Sequence, residues 1–187
     1  MYKHTIALAI GGALLAGSAP ALAEGWQFLP AAKPGYEADA TLAVMGGVQD
    51  PDVGDVDADA AYGLELSLSC PTLKPPQGEI RQQISITGFD SDGLEMTSIE
   101  LNPHYLMPLA ENLDLGVGPG IGYVMAEAGR WDDDVLALQA GASLHYRSGP
   151  LFLGAEARYQ FTQEADIGRR DQDLNNYRLL GKAGVNF

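Results

Sequence analysis

Leu151-Phe152-Leu153-Gly154-Ala155-Glu156-Ala157-Arg158-Tyr159-Gln160-Phe161 is the stretch that decides the fold. Leu151, Leu153, Ala155, Ala157, Tyr159 and Phe161 alternate with Gly154, Glu156, Arg158 and Gln160. A period of two places these sets on opposite faces of a β-strand. One face is apolar and ends on aromatic rings. The other carries opposite charges two residues apart. Such a strand separates an apolar side from a polar one, and the placement of the aromatic rings decides whether the polar side is a lumen or a wet outer surface.

The same pattern extends in both directions. Downstream, Asn175–Phe187 sets Tyr177, Leu179, Ala183, Val185 and Phe187 against Arg178, Lys182 and Asn186. Upstream, Val135–Arg147 sets Leu136, Leu138, Ala140, Ala142, Leu144 and Tyr146 against Gln139, Gly141, Ser143 and His145. Asn112–Met125 sets Leu113, Leu115, Val117, Ile121 and Tyr123 against Asp114 and four glycines. In Leu94–Met107, Ile99, Leu101, Pro103 and Tyr105 oppose Glu100, Asn102 and His104. Leu94 and Met96 are out of phase with that apolar set, so a bulge is expected near Thr97. Glu79–Phe89, Ala60–Cys70 and Tyr36–Gly46 complete eight segments. Pro119 interrupts the fifth, where a proline removes a ladder hydrogen bond.

The start of the chain predicts export. Lys3 precedes the apolar run Thr5–Ala16, and Ala21-Leu22-Ala23 supplies a small-x-small cleavage pattern. Residues 1–23 are therefore expected to be a cleaved signal peptide, with 24–35 a short periplasmic segment and 36–187 the barrel. The net charge is −14, and removing Lys3 leaves −15. That balance argues against a nucleic-acid partner. The lone cysteine, Cys70, can form no internal disulfide and offers no metal or redox pair. No later apolar run approaches the roughly 20 residues of a spanning helix. An exported chain that crosses a membrane without helices does so as a closed barrel.

The expectation is thus an all-β fold, an eight-stranded antiparallel up-and-down transmembrane β-barrel. Traced upward from a periplasmic start, Tyr36, Tyr105, Tyr146 and Phe187 form a lower aromatic girdle. Tyr62, Phe89, Tyr123, Tyr159, Phe161 and Tyr177 form an upper one. The lower turns are Pro71–Gly78, Pro108–Glu111 and Ser148–Pro150. The longer, more charged upper loops are Gln49–Asp59, Asp90–Gly93, Ala126–Asp134 and Gln163–Asn176. The inward charges Glu65, Arg81, Glu100, Glu156, Arg158, Arg178 and Lys182 are expected to pair as a network. Eight strands leave an interior just wide enough for side chains.

With the signal peptide, the glycine-rich stretch Leu115-Gly116-Val117-Gly118-Pro119-Gly120-Ile121-Gly122-Tyr123 and the end Gly184-Val185-Asn186-Phe187, the chain resembles the outer-membrane β-barrel domain family. That family includes the opacity proteins and the OmpA-type and OmpX-type small barrels. The resemblance implies the outer membrane of a Gram-negative bacterium, with Phe187 as a signal read by the barrel-assembly machinery. It also implies a monomer surrounded by outer-membrane lipids and lipopolysaccharide.

Candidate chemistry is sparse. The loop Asp50–Asp59 is rich in aspartate, but Ala60 and Leu66 stand where a calcium loop needs glycine and a distal glutamate. No metal or cofactor is expected. Ser143, His145 and His104 contain the residue types of a hydrolase. Their order does not match the His-x-Ser motif of lipid-deacylating barrels, so no catalytic residue is assigned. The expected role is structural or in surface interaction at the envelope. The alternatives are a lipid-modifying enzyme, a narrow solute channel and a soluble ligand-binding barrel.

Overall fold

The computed structural model describes residues 25–54, 56–165 and 172–187. The expected leader, Asp55 of the acidic loop and residues 166–171 lie outside these. Eight long strands form the wall: β1 (Thr41–Pro51), β2 (Asp59–Ser69), β3 (Glu79–Ser91), β4 (Leu94–Ala110), β5 (Leu113–Ala128), β6 (Trp131–Ser148), β7 (Leu151–Thr162) and β8 (Asn176–Asn186). Each pairs antiparallel with the next, and β8 pairs with both β7 and β1. The sheet therefore closes and has no free edge. The expected all-β, eight-stranded barrel is the observed architecture.

The decisive question is which face is apolar. Leu66, Leu138 and Leu153 are 40%, 66% and 43% exposed and point outward. So do Leu42, Val44, Leu64, Ile84, Ile86, Ile99, Leu101, Ile121, Leu136, Leu144 and Leu179. Glu65, Arg81, Glu100, Glu156, Arg158, Arg178 and Lys182 are buried inside. A continuous apolar belt around a charged interior is the inverse of a soluble barrel, and it is stable where hydrocarbon replaces water outside. At 11 residues, the shortest wall strands match the 9–11 or so that a tilted strand needs to cross hydrocarbon.

Four details differ from the sequence reading. The first strand starts at Thr41 rather than Tyr36 and runs on through Pro51. Asp39 sits at φ +42, a left-handed backbone that breaks the extended run. Its far end is extended because Gln49, Asp50 and Pro51 pair with Arg178, Tyr177 and Asn176. The second difference is at Thr97, where there is no bulge. Pairing is continuous from Ser91–Leu94 through Glu79–Leu106, and the register shift of β4 lies at Pro108/Ala110. Leu94 and Met96 keep the inward phase and are buried. The inner face itself changes there from polar to apolar.

Phe89 is the third. It shares the inward phase of Arg81 and Gln83 and is 2% exposed, so it belongs to the interior and not to the upper girdle. The fourth concerns loop length. The segments expected as the loops Asp90–Gly93 and Ala126–Asp134 are mostly strand, closed by the tight turns Asp92–Gly93 and Gly129–Arg130. Asp92 and Gly93 both have positive φ (51 and 80), as a two-residue hairpin turn requires. The wall is therefore uneven. Strands β4, β5 and β6 have 17, 16 and 18 residues, against 11 in β1, β2 and β8.

Pro119 stays in its strand at small cost. Between β4 and β5, Leu101 pairs with Ile121 and Tyr105 with Val117, with no pairing between. That register sets Pro103 opposite Pro119. The two residues without an N–H face each other, so the missing bonds fall in one place instead of two. Pro119 still pairs with Ala140 on its other side.

If the outer face lies in lipid, Leu138→Arg lowers stability, by less than the roughly 2–4 kcal/mol of a basic residue at the bilayer midplane because Leu138 pairs with Phe161 of the upper girdle. Urea titration in phospholipid vesicles measures it. An unchanged midpoint would show that Leu138 does not face hydrocarbon.

Candidate functional site: the barrel interior and its two ends

The interior depends on the glycines of β5. Its inward positions Gly116, Gly118, Gly120 and Gly122 carry no side chain, and neighbours occupy that space. A Cβ on Gly120 would lie 1.8 Å from Asn102 Oδ1, and one on Gly122 would lie 2.7 Å from Gln139 Nε2. One on Gly116 would lie 2.5 Å from Ser143 Oγ. The side chains of β4 and β6 thus reach across β5. The Gly-x-Gly rhythm is the negative image of a polar core.

That core is charge-balanced. Glu65, Glu100 and Glu156 meet Arg158, Arg178 and Lys182, three of each sign. Lys182 Nζ donates to Glu156 Oε2 at 2.8 Å and also to Glu65, two strands away. Arg158 Nε donates to Glu156 Oε1 at 2.9 Å. Arg178, on β8, crosses the lumen to Glu100 on β4 and donates to Thr87 Oγ1 at 2.8 Å. Glu100 also accepts from Ser85 and Asn102. Gln83, Asn102, Gln139 and His145 keep buried polar atoms without a hydrogen-bond partner among the described residues. Water suits such positions and an apolar ligand does not.

Arg81 belongs to a second cluster near the lower end. It donates to Ser67 Oγ (2.9 Å), Thr41 Oγ1 (3.2 Å) and Glu79 Oε1 (3.1 Å), and to the Asp39 carbonyl. Arg147 joins Glu79 to Asp114, at 3.3 and 2.8 Å. Asp114 is on the polar face in the sequence reading but outside the expected charge network, and Glu79 and Arg147 are not singled out there. All three carry the inward phase of their strands, and that signal could have found them. Below them, the Tyr36 hydroxyl donates to the Ser69 carbonyl at 2.7 Å. Partial burial holds its phenol above the ordinary tyrosine range.

The hydrolase residues meet in an unexpected pairing. Ser143 Oγ lies 2.9 Å from Nδ1 of His104, not beside His145. His104 Nε2 lies 3.0 Å from Arg158 Nη2. A guanidinium only donates, so Nε2 must accept and the ring proton sits on Nδ1. That proton points at Ser143, so His104 cannot draw a proton from it. His145 packs edge-on against Phe152, with ring centroids 5.4 Å apart. All these groups are buried in the lumen. The arrangement holds a structure together and offers no nucleophile to lipid.

Among the described residues, an apolar cluster covers the inner face at the upper mouth. Phe89, Leu94, Met96, Val124, Ala126, Val135 and Ala137 line the inner face of the tall wall and form one buried cluster with Ala165 and Leu174. Val53 and Val56 of the β1–β2 connection pack against it. The connections of the short wall thus fold over the mouth onto the tall one. They are tied down by Thr162 N to Asn175 Oδ1 (2.8 Å), Leu174 N to Thr162 Oγ1 (2.7 Å) and Asp57 N to Asp92 Oδ2 (3.1 Å). The sequence reading misses this plug: Phe89, Leu94, Met96, Val124, Val135 and Ala137 fall in expected strands, but inward positions there are expected to be polar, and Ala165 and Leu174 fall in an expected loop.

Among the girdle residues, Tyr62, Tyr123, Tyr146 and Tyr177 are exposed on the outer face, as is Phe187 (73%) at its lower edge. Tyr105 and Tyr159 are half-buried there, and Tyr36 lies below the wall. On the tall wall above the upper aromatics, Asp90 pairs with Glu95, Glu95 with Glu127 and Glu127 with Asp132. All four are exposed.

No family model matches the chain, and no curated protein matches it. Solved structures do. Neisserial surface protein A is 12% identical, with 79% of this chain covering 97% of that one at a TM-score of 0.61. The N-terminal β-barrel domain of Pseudomonas aeruginosa OprF is 12% identical, with 81% covering 100% at 0.51. The attachment invasion locus protein Ail of Yersinia pestis is 13% identical, with 81% covering 100% at 0.53. The fold is therefore that of the small outer-membrane barrels.

Removing one partner of a buried ion pair strands the rest. Lys182→Met, which leaves Glu65 and Glu156 facing each other, is expected to cost about 3–5 kcal/mol. Urea titration of the refolded barrel in detergent tests it, and a loss within error of zero would refute the pairing.

Proposed function

We propose that this chain works in the outer membrane as a closed barrel with a structural or surface-interaction role, and that it is not an enzyme. The plug over the upper mouth carries this reading. Packed apolar side chains over the mouth and ion pairs across the lumen, among the described residues, favour a closed barrel over a conducting one. No serine or histidine of the interior is placed to attack lipid. What remains for function is the outer surface.

That surface is acidic. The row Asp90–Glu95–Glu127–Asp132 sets like charges directly opposite one another on four adjacent strands, an arrangement that destabilises a sheet. The only basic side chain described at these tips is Arg130, stacked 5.4 Å over the Trp131 ring. A sheet that keeps such a row is suited to cationic groups, or to lipopolysaccharide bridged by cations. Ail has been solved with the heparin analogue sucrose octasulfate, a polyanion. The charge here is of the wrong sign for such a ligand.

Planar-bilayer recordings of the purified barrel are expected to give a flat trace, and steady unitary currents would overturn the closed reading. Glu95→Gln with Glu127→Gln is expected to raise stability by about 0.2–1 kcal/mol per relieved pair at low salt. Thermal unfolding in low-salt detergent measures it, and an unchanged midpoint would mean the row carries no strain.

A further inference from the structure

The lower end carries a feature that neither a closed barrel nor an acidic outer surface explains. Residues 25–36 and the long β2–β3 connection fold together into a lip. Gln27 pairs with Lys74 and Phe28 with Leu73. Leu29 N donates to the Thr72 carbonyl at 2.8 Å and Ala31 N to that of Pro71 at 3.2 Å. The 3-10 turn Pro30–Ala32 follows. Between the lip and the barrel lies a cavity of about 390 Å³, lined by Gln27, Lys74, Tyr36 and Glu79 among others. Gln27, Lys33, Leu73 and Lys74 line the cavity together with Glu37, Asp39 and Glu79, whereas Phe28 and Leu29 do not. Phe28 is 65% exposed and Leu29 60%.

Two large apolar side chains in water are costly, by about 25 cal/mol for each Å² left uncovered. Their setting indicates what covers them. The lip is continuous with the lower edge of the apolar belt. Tyr105 Oη, in the lower aromatic ring, donates to the Gln77 carbonyl at 3.0 Å. Gly78, at φ +68, lies against the same ring, where a Cβ would come within 3.1 Å of it. Charge points the same way. The lysines are Lys3, Lys33, Lys74 and Lys182, and Lys182 is buried in the lumen. Past residue 23, the two exposed lysines both lie on the lip. Residues 25–36 and 71–78 hold no carboxylate, in a chain of net charge −14.

We propose that the lip docks on the periplasmic leaflet of the membrane, inserting Phe28 and Leu29 among phospholipid chains while Lys33 and Lys74 meet anionic headgroups. Apolar side chains flanked by lysines favour an anionic lipid surface. Trp26, two residues before Phe28, is of the type enriched at that interface. The assignment rests on the membrane-barrel reading, with the lower end periplasmic.

The chain has two tryptophans, Trp26 and Trp131. Trp131→Phe therefore leaves Trp26 as the sole reporter at the lip. The full barrel is reconstituted in vesicles of phosphatidylcholine with or without phosphatidylglycerol, a fraction of the chains being brominated. The expected result is loss of most Trp26 emission to the brominated chains, stronger with phosphatidylglycerol. Phe28→Ser with Leu29→Ser restores the emission. Lys33→Gln with Lys74→Gln abolishes the phosphatidylglycerol dependence. Emission that ignores brominated chains and is quenched by aqueous acrylamide overturns the proposal. Heat-modifiable gel migration of the same sample keeps the two readings apart. An unquenched Trp26 in a barrel that still migrates as folded sinks the lip alone, and loss of that migration from the membrane fraction sinks the membrane reading beneath it.

Discussion

Strand β8 hydrogen-bonds on both sides, to β7 and to β1, and the rest of the molecule follows from that closure. In hydrocarbon an unpaired backbone group costs several kcal/mol, so the ring must be complete. Completing it with eight strands leaves a narrow interior. The outward residues are given to lipid, so the inward ones must supply a core without an apolar reservoir to draw on. They do so with ion pairs below and an apolar plug above.

The two halves of the interior solve the same packing problem by different means. In the lower half, side chains cross the lumen through space cleared on β5, and at Gly118 the backbone itself fills the space: a Cβ there would lie 2.0 Å from the Pro103 carbonyl oxygen. The arginines and Lys182 satisfy carboxylates on strands that are not their neighbours. In the upper half, above Thr87 and Ser98, the tall wall has no opposite wall to pack against. Connections from the short side fill that role, which is why Ala165 and Leu174 are as buried as Met96 and Val124. Ion pairs fill the first half and packed apolar side chains the second.

Much of this was legible in the residues. Strict alternation in β2, β6, β7 and β8 specified strand, face and partner medium together, because a slip by one residue would exchange lipid for lumen. The inward charges were legible for the same reason. Strand ends were not. Alternation says nothing about where a strand stops once it leaves the membrane, so β3, β5 and β6 run past the points where their aromatics suggested an interface. The first strand was misplaced because Tyr36, Ala38 and Ala40 continue the alternation across a residue whose backbone leaves the extended region. The rule that inward means polar concealed the plug. Leu94 and Met96 broke that rule and suggested a bulge, when the local medium of the lumen had changed instead. The pairing of Ser143 with His104 was beyond reach, since it depends on Gly116 lying between them on a third strand.

The unequal wall heights give the molecule a front and a back. An up-and-down barrel of equal strands presents much the same profile from every direction around its axis. Here an approaching molecule meets the turns Asp92–Gly93 and Gly129–Arg130 on one side, raised on long paired strands. On the other side it meets the folded-over connections that follow Pro51 and Thr162. Rotation about the membrane normal therefore changes what a neighbour meets, and any lateral association in the bilayer plane has a preferred azimuth set by strand length.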